Sequence, residues 1–171
     1  MKFASGDVRR LPDPRDIASV TTPPALRAVL DTNLVIRLLI TPFGITGRLL
    51  TEATNRAFRL VTSELLIEEV ITSLQYPRLQ KYGPYSRHDL HRIEGVLRRT
   101  AVVVPGHYRD LDKVPTDVKD NMVVACALEA GAQYIVTDDR RDLLPLKVIR
   151  CPGFQPVQIV RPTAFLRLLD S

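Results

Sequence analysis

Short, unbroken apolar runs alternate with longer stretches of helical period along most of this chain. Residues 25–30 (ALRAVL), 58–62 (FRLVT), 101–104 (AVVV), 134–137 (YIVT) and 157–160 (VQIV) read as strands buried on both faces. Helical patterns lie between them. One covers residues 44–57. Ser63 caps a second, SELLIEEVITSL, which stops before Tyr76-Pro77. Residues 86–99 form an amphipathic, basic helix; DNMVVACALEAG is closed by Gly131; Pro162 opens a last helix, PTAFLRLL. No hairpin signal such as Asn-Gly appears. Strand–helix alternation of this kind predicts an α/β three-layer sandwich, a central parallel sheet of about five short strands flanked by helices. Residues 1–24 carry no hydrophobic period and are rich in Pro, Asp, Arg and Ser. They are expected to form a flexible N-terminal arm ahead of a domain at residues 25–171.

Composition narrows the function classes. At 171 residues, 45% of them hydrophobic, the chain has enough material for one well-packed domain. No apolar run reaches the roughly 18–20 residues that span a bilayer, so no membrane partner is expected. The N-terminus lacks the apolar centre of a signal peptide. Cys126 and Cys151 have no metal-type spacing and do not suggest a disulfide framework. The expected location is the cytoplasm. Net charge is +5, with basic pairs at Arg9-Arg10, Arg98-Arg99 and Arg140-Arg141, a tilt toward a polyanionic partner. The absence of Trp and the few aromatics speak against an extended base-stacking surface.

The candidate chemistry is carboxylate chemistry. Asp31 follows the first strand inside AVLDTNLVIRLL, where an unpaired charge is costly. Asp31-Thr32-Asn33 has turn and N-cap chemistry, and it equally suits a strand end that holds a carboxylate for a ligand. Other segments send acids to the same end of the sheet, where ligands of open parallel sheets bind. Asp138 and Asp139 follow the strand of YIVTDDRRDLL, and Asp117 and Asp120 open a helix. Glu68 and Glu69 lie two turns into SELLIEEVITSL. Each acid alone is explained by a cap, a turn or a solvated helix face. Together they would repel unless a hard cation such as Mg²⁺ or Mn²⁺ stood among them.

The order VLDTN, SELLIEE, DxxDNMVVACAL and IVTDDRRDLL resembles PIN-domain nucleases, most of all the bacterial and archaeal members classed as VapC-type toxin components. The resemblance runs from about Arg27 to Leu169. It implies a PIN-like fold with Asp31, Glu69, Asp120 and Asp139 as catalytic, metal-holding acids. Glu69 is assigned by its position six residues after Ser63, a choice that helical period leaves open because Glu68 and Glu69 flank the apolar stripe on opposite sides. Asn33, Asp117, Thr137, Asp138 and Glu68 are auxiliary candidates. Asp138 stands where the family often has Gly. What the resemblance implies is an endoribonuclease using Mg²⁺ or Mn²⁺ on an RNA substrate, the toxin of a toxin–antitoxin system, with a small antitoxin protein as partner and a homodimer as its assembly. The alternatives are a catalytically silent PIN module that binds nucleic acid or a protein, and a structure-specific DNA nuclease.

With the four acids set aside the formal charge rises to +9, which suits a protein gripping a polyanion around an acidic pit. Arg140, Arg141, Arg98 and Arg99, the last two on the basic helix, are the candidate nucleic-acid contacts. His88 and His91 flank Asp89 on that helix, and a solvated face explains them better than a metal. No Gly-x-Ser-x-Gly, Walker-type loop or dinucleotide motif is present, and Cys126 among Val, Ala and Leu reads as a small buried hydrophobe.

Overall fold

The computed structural model describes residues 25–106 and 118–171, with residues 118–120 described by their backbone alone. The predicted arm (residues 1–24) and Asp117 lie outside the described residues. The strands are β1 (Arg27–Leu30), β2 (Arg59–Ser63), β3 (Val102–Val104), β4 (Tyr134–Val136), β5 (Val148–Ile149) and β6 (Val157–Val160). The helices are α1 (Thr32–Ile40), α2 (Gly44–Thr54), α3 (Glu64–Leu74), α4 (Pro77–Gln80), α5 (Arg87–Thr100), α6 (Val118–Glu129) and α7 (Pro162–Leu169).

The sheet order is β3-β2-β1-β4-β6-β5. Every pairing is parallel except β5 with β6. Side chains of the central strands alternate between faces, as the pleat requires. Val29, Val61 and Ile135 pack with Val123, Val124 and Ala127 of α6 on one side. Ala28, Leu30, Leu60 and Val136 pack with Leu34, Leu49 and Phe165 of α1, α2 and α7 on the other. Burial on both faces is why these strands read as continuous apolar runs. A smaller cluster around Ile36, Val70 and Leu74 joins α1 to α3, with Leu90, Ile93 and Leu97 of α5 against it.

The five predicted strands are present, within a residue or two. The sixth, β5, is a two-residue antiparallel strand at the sheet edge, too short to leave a hydrophobic period. α4, a single 3₁₀ turn at Leu144–Leu146 and the nine-residue α1 were likewise not predicted, although Asp31-Thr32-Asn33 carries N-cap chemistry. The helix expected over residues 44–57 ends at Thr54, followed by Arg56 in the left-handed region (φ 60°). The bend from α1 into α2 is tight. A Cβ on Gly47 would lie 2.5 Å from the Pro42 carbonyl oxygen, so only glycine fits there. Cys126 is fully buried, and burial pushes its thiol up to about 12, in keeping with an inert core residue. Among the described residues no single helix is long and apolar enough to cross a membrane.

Strand order reverses at β1: the next strand, β2, lies on one side and β4 on the other. In open parallel sheets the crevice outside the carboxyl ends of two such strands is where ligands bind. Asp31 follows β1 there, and Thr137, Asp138 and Asp139 follow β4.

Candidate active site

Asp31 continues the β1–β4 pairing by one bond, its amide donating to the Val136 carbonyl at 3.0 Å. Its own carbonyl accepts from the Leu34 and Val35 amides at 2.9 and 3.0 Å, which starts α1. The backbone therefore occupies the N-cap position. The carboxylate does not act as a cap, because it makes no capping hydrogen bond to that helix. Instead Thr137 Oγ1 donates to Asp31 Oδ2 at 2.9 Å. Thr137 is fully buried and Asp31 only 5% exposed. The same hydroxyl accepts the Asp139 amide at 2.9 Å, so one buried threonine ties the first acid to the backbone of the last.

Asp139 borders the crevice and also shapes its own turn. Its Oδ1 accepts the amides of Arg141 (2.8 Å) and Asp142 (3.2 Å), an Asx turn. The turn and site readings of this residue are not exclusive. Glu69 arrives from α3, and Thr32 Oγ1 donates to its Oε2 at 2.9 Å. Thr32 directly follows Asp31, so this bond directs the glutamate toward the end of β1. Glu68 is exposed and borders a separate groove with Glu64, Thr72 and Arg98. α3 owes its position to Ser63, whose buried Oγ caps it by accepting the Leu66 amide at 3.2 Å.

The electrostatics agree with this geometry. Burial pushes the Asp31 carboxyl above its ordinary range, the Thr137 bond partly offsets that, and the charges of Asp139 and Glu69 push it further up. The Asn33 amide lowers it, as the least of the five influences. Three acids from three elements thus act on one another through space. Asp120 is the third residue of α6, and its side chain, like all of Asp117, lies outside the described residues.

Asp31 and Asp139 border an open cleft of about 760 Å³. Its other walls hold Asn33, Arg37, Arg78, Tyr82, Arg140 and Arg141. Asp138 also borders the cleft, exposed and paired there with Arg37 at 2.7 Å. Arg98 is held by both carboxylate oxygens of Glu64 at 2.7 Å and by Glu94 at 3.0 Å. Arg98 and Arg99 border other grooves, and the structure does not bring them to this cleft. His88 and His91 are exposed.

Among the described residues no group of three Asp, Glu, His or Cys side chains is drawn together into a metal cage. The donors present still suit a hard cation. They are carboxylate oxygens, one of them buried and destabilised by its acidic neighbours, and a divalent ion would relieve that repulsion.

Thr32, Arg37, Arg78 and Tyr82 were not singled out from the sequence. Arg37 left a trace as the lone cation in LVIRLL. Arg78 and Tyr82 left none, because the helix that presents Arg78 spans four residues and Tyr82 lies in the turn after it.

Fold and cleft together define a class: a parallel α/β domain with an acidic crevice at its topological switch point. A sequence profile of the PIN domain matches residues 27–141. The chain belongs to the PIN domain family, whose members are generally nucleases. It is 27% identical over 122 residues to the uncharacterized protein MJ1680 of Methanocaldococcus jannaschii, covering 71% of this chain and 76% of that one. Its fold is similar to that of a chain in the crystal structure of VapBC2 from Rickettsia felis bound to a DNA fragment from their promoter. The TM-score is 0.52 at 11% identity, over 80% of this chain and 98% of that one.

Proposed function

We propose that this PIN domain is a metal-dependent endoribonuclease that hydrolyses RNA phosphodiester bonds in the cytoplasm. Asp31, Glu69, Asp120 and Asp139 are its proposed metal-holding acids, for Mg²⁺ or Mn²⁺. The observation that supports the reading is that Asp139 and Glu69 lie close enough to the buried Asp31 for their charges to raise its proton affinity, with Asp31 and Asp139 bordering the switch-point crevice. When bound, a divalent cation supplies Lewis-acid neutralisation of the phosphate and lowers the pKa of a water at neutral pH. The protein's own part is orientation. Thr137 holds one oxygen of Asp31, Thr32 holds one oxygen of Glu69, and the Asx turn holds one oxygen of Asp139. Carboxylates restrained in this way meet a ligand without first losing rotamer freedom. Arg37, Arg78, Arg140 and Arg141 ring the cleft and attract the phosphate backbone.

The biological role proposed is that of a toxin held by a small antitoxin protein. It is supported by the resemblance to VapC-type sequences and by the fold shared with a VapBC2 chain. The test is incubation of purified protein with single-stranded RNA, or DNA of the same sequence, in Mg²⁺ or Mn²⁺. The expected outcome is internal cleavage of RNA and intact DNA. RNA bound and never cut would favour a silent binding module. Cleavage confined to branched DNA would favour a structure-specific DNA nuclease.

A further inference from the structure

The cleft is asymmetric in a way that the proposed cleavage chemistry does not require. Besides the acids, its lining includes Arg78 of α4 and Tyr82 of the turn after it. Arg78 lies within α4 and Tyr82 two residues beyond its end, and both line the cleft. The segment is well anchored. Leu79 packs against the Ile36–Val70–Leu74 cluster, the Gln80 side chain donates to the Leu74 carbonyl at 3.0 Å, and the Tyr82 amide donates to the Leu79 carbonyl at 3.0 Å. Pro77 at the first helical position fixes the entry. On this fixed base Tyr82 is nonetheless 60% exposed, among the most exposed large apolar side chains of the described residues. The Lys81 ammonium lies over its ring, 5.0 Å from the centroid. A cation on one face leaves the opposite face to a partner, and it adds positive charge next to Arg78.

An exposed aromatic ring with one cation over a face, in a cleft shared with Arg78 and an acidic centre, matches one ligand chemistry well; the Arg78 guanidinium itself lies 5.7 Å from the Tyr76 ring centroid. Single-stranded nucleic acid offers an unpaired base with a π face and a phosphate on either side of it. A paired base has its faces covered by its neighbours and offers nothing to stack. Composition argues against an extended stacking surface, and one ring suffices for one base.

We infer that Tyr82 stacks on one unpaired base of the substrate while Arg78 holds an adjoining phosphate, so that α4 makes this site specific for single-stranded RNA. The inference rests on the proposed nuclease reading for the identity of the polymer. Arg140 and Arg141, across the cleft, supply charge without a stacking surface and do not discriminate paired from unpaired strands.

The experiment is a binding titration in the Asp31→Asn background, where the RNA stays intact. The probe is a short single-stranded RNA with 2-aminopurine at successive positions, compared with the same strand annealed to its complement. The single strand should bind more tightly than the duplex, with fluorescence quenched at one position. Tyr82→Ala should abolish that quenching and weaken single-strand binding about tenfold, the loss of roughly one base–aromatic stack, with duplex binding unchanged. Tyr82→Phe should keep both properties, which separates stacking from any effect on folding. Arg78→Ala should weaken both forms and reduce the salt dependence by about one ion. Equal affinity for single strand and duplex, or a Tyr82→Ala protein that binds and quenches like its parent, overturns the inference. Cleavage by the otherwise wild-type protein is scored separately. Tyr82-dependent binding without cleavage in any metal would defeat the nuclease reading alone. Cleavage of single strands with an unchanged KM in Tyr82→Ala would defeat the inference alone.

Discussion

Replacing Asp31 by Asn separates a turn residue from a metal ligand through stability as well as activity. Asn fills turns and N-cap positions about as well as Asp, so a purely local role predicts a near-neutral change. The structure predicts a gain in metal-free protein. Asp31 is 5% exposed and its ionised form is disfavoured by burial and by the charges of Asp139 and Glu69. The Asn carbonyl can still accept the Thr137 hydroxyl. The change gives up the charge assistance of that bond, about 1 kcal/mol, and removes a buried charge whose effective penalty is several kcal/mol. A net gain of about 1–2 kcal/mol raises Tm by about 3–6 °C for a chain of this size. The pH dependence has a definite sign. A carboxyl whose pKa is raised by folding destabilises the native state when ionised, so the parent recovers stability as pH falls through the raised folded pKa. The advantage of Asp31→Asn should therefore be greatest above the raised folded pKa and shrink as pH falls through it. The assay is a melting curve of each protein from pH 4 to pH 8, with and without Mn²⁺. Mn²⁺ at about a hundredfold excess over its Kd should stabilise the parent by about 2.7 kcal/mol and the variant by much less. A variant that melts below its parent without metal, and keeps the full Mn²⁺ shift, would refute the reasoning.

Other expectations follow from neighbouring residues. Glu69→Gln should remove most RNA cleavage while leaving the melting temperature within a few degrees, whereas Glu68→Gln, on the far side of the helix, should retain activity; steady-state rates of the two variants compare them, and reversed effects would exchange their roles. Gly47→Ala should lower stability by about 1–3 kcal/mol, because its Cβ would overlap the Pro42 carbonyl oxygen and force the bend between α1 and α2 to open; denaturant unfolding reads this directly. Deleting residues 1–24 should leave a soluble protein with an unchanged melting temperature, since that segment carries no hydrophobic period, and a large drop would show that it packs on the domain.

The architecture was legible because it is written in periods. Strands buried on two faces leave unbroken apolar runs, and helices over them leave 3.6-residue stripes, so the five long-range strands and most helices could be placed. Apart from α1, marked in the sequence only by the N-cap chemistry of Asp31-Thr32-Asn33, what escaped was short. β5 pairs only two residues, and α4 is one turn whose place depends on Leu79 finding a pocket between α1 and α3. The acids were legible as strand-end and helix-start residues. Their restraints were not, because the Thr137–Asp31 and Thr32–Glu69 bonds span 106 and 37 positions. Helical period does not separate Glu68 from Glu69, since both flank the apolar stripe; the resemblance assigns Glu69, and the bond from Thr32 is made to that residue. The basic pairs part company in the structure. Arg140-Arg141 adjoin the cleft, while Arg98 is engaged by Glu64 and Glu94, partners that sequence spacing shows only for the i, i+4 neighbour.

The central claim is that clustered carboxylates hold a divalent cation for RNA hydrolysis. Its most direct measurement is the cleavage rate of single-stranded RNA by purified protein in Mn²⁺, in excess EDTA, and after Mn²⁺ is restored, beside Asp139→Asn. Asn at position 139 can still accept the Arg141 and Asp142 amides, so the turn survives while the charge is lost. Cleavage should stop in EDTA, return with Mn²⁺, and be nearly absent in Asp139→Asn under all three conditions. Undiminished cleavage in excess EDTA, or a fully active Asp139→Asn, would contradict the account.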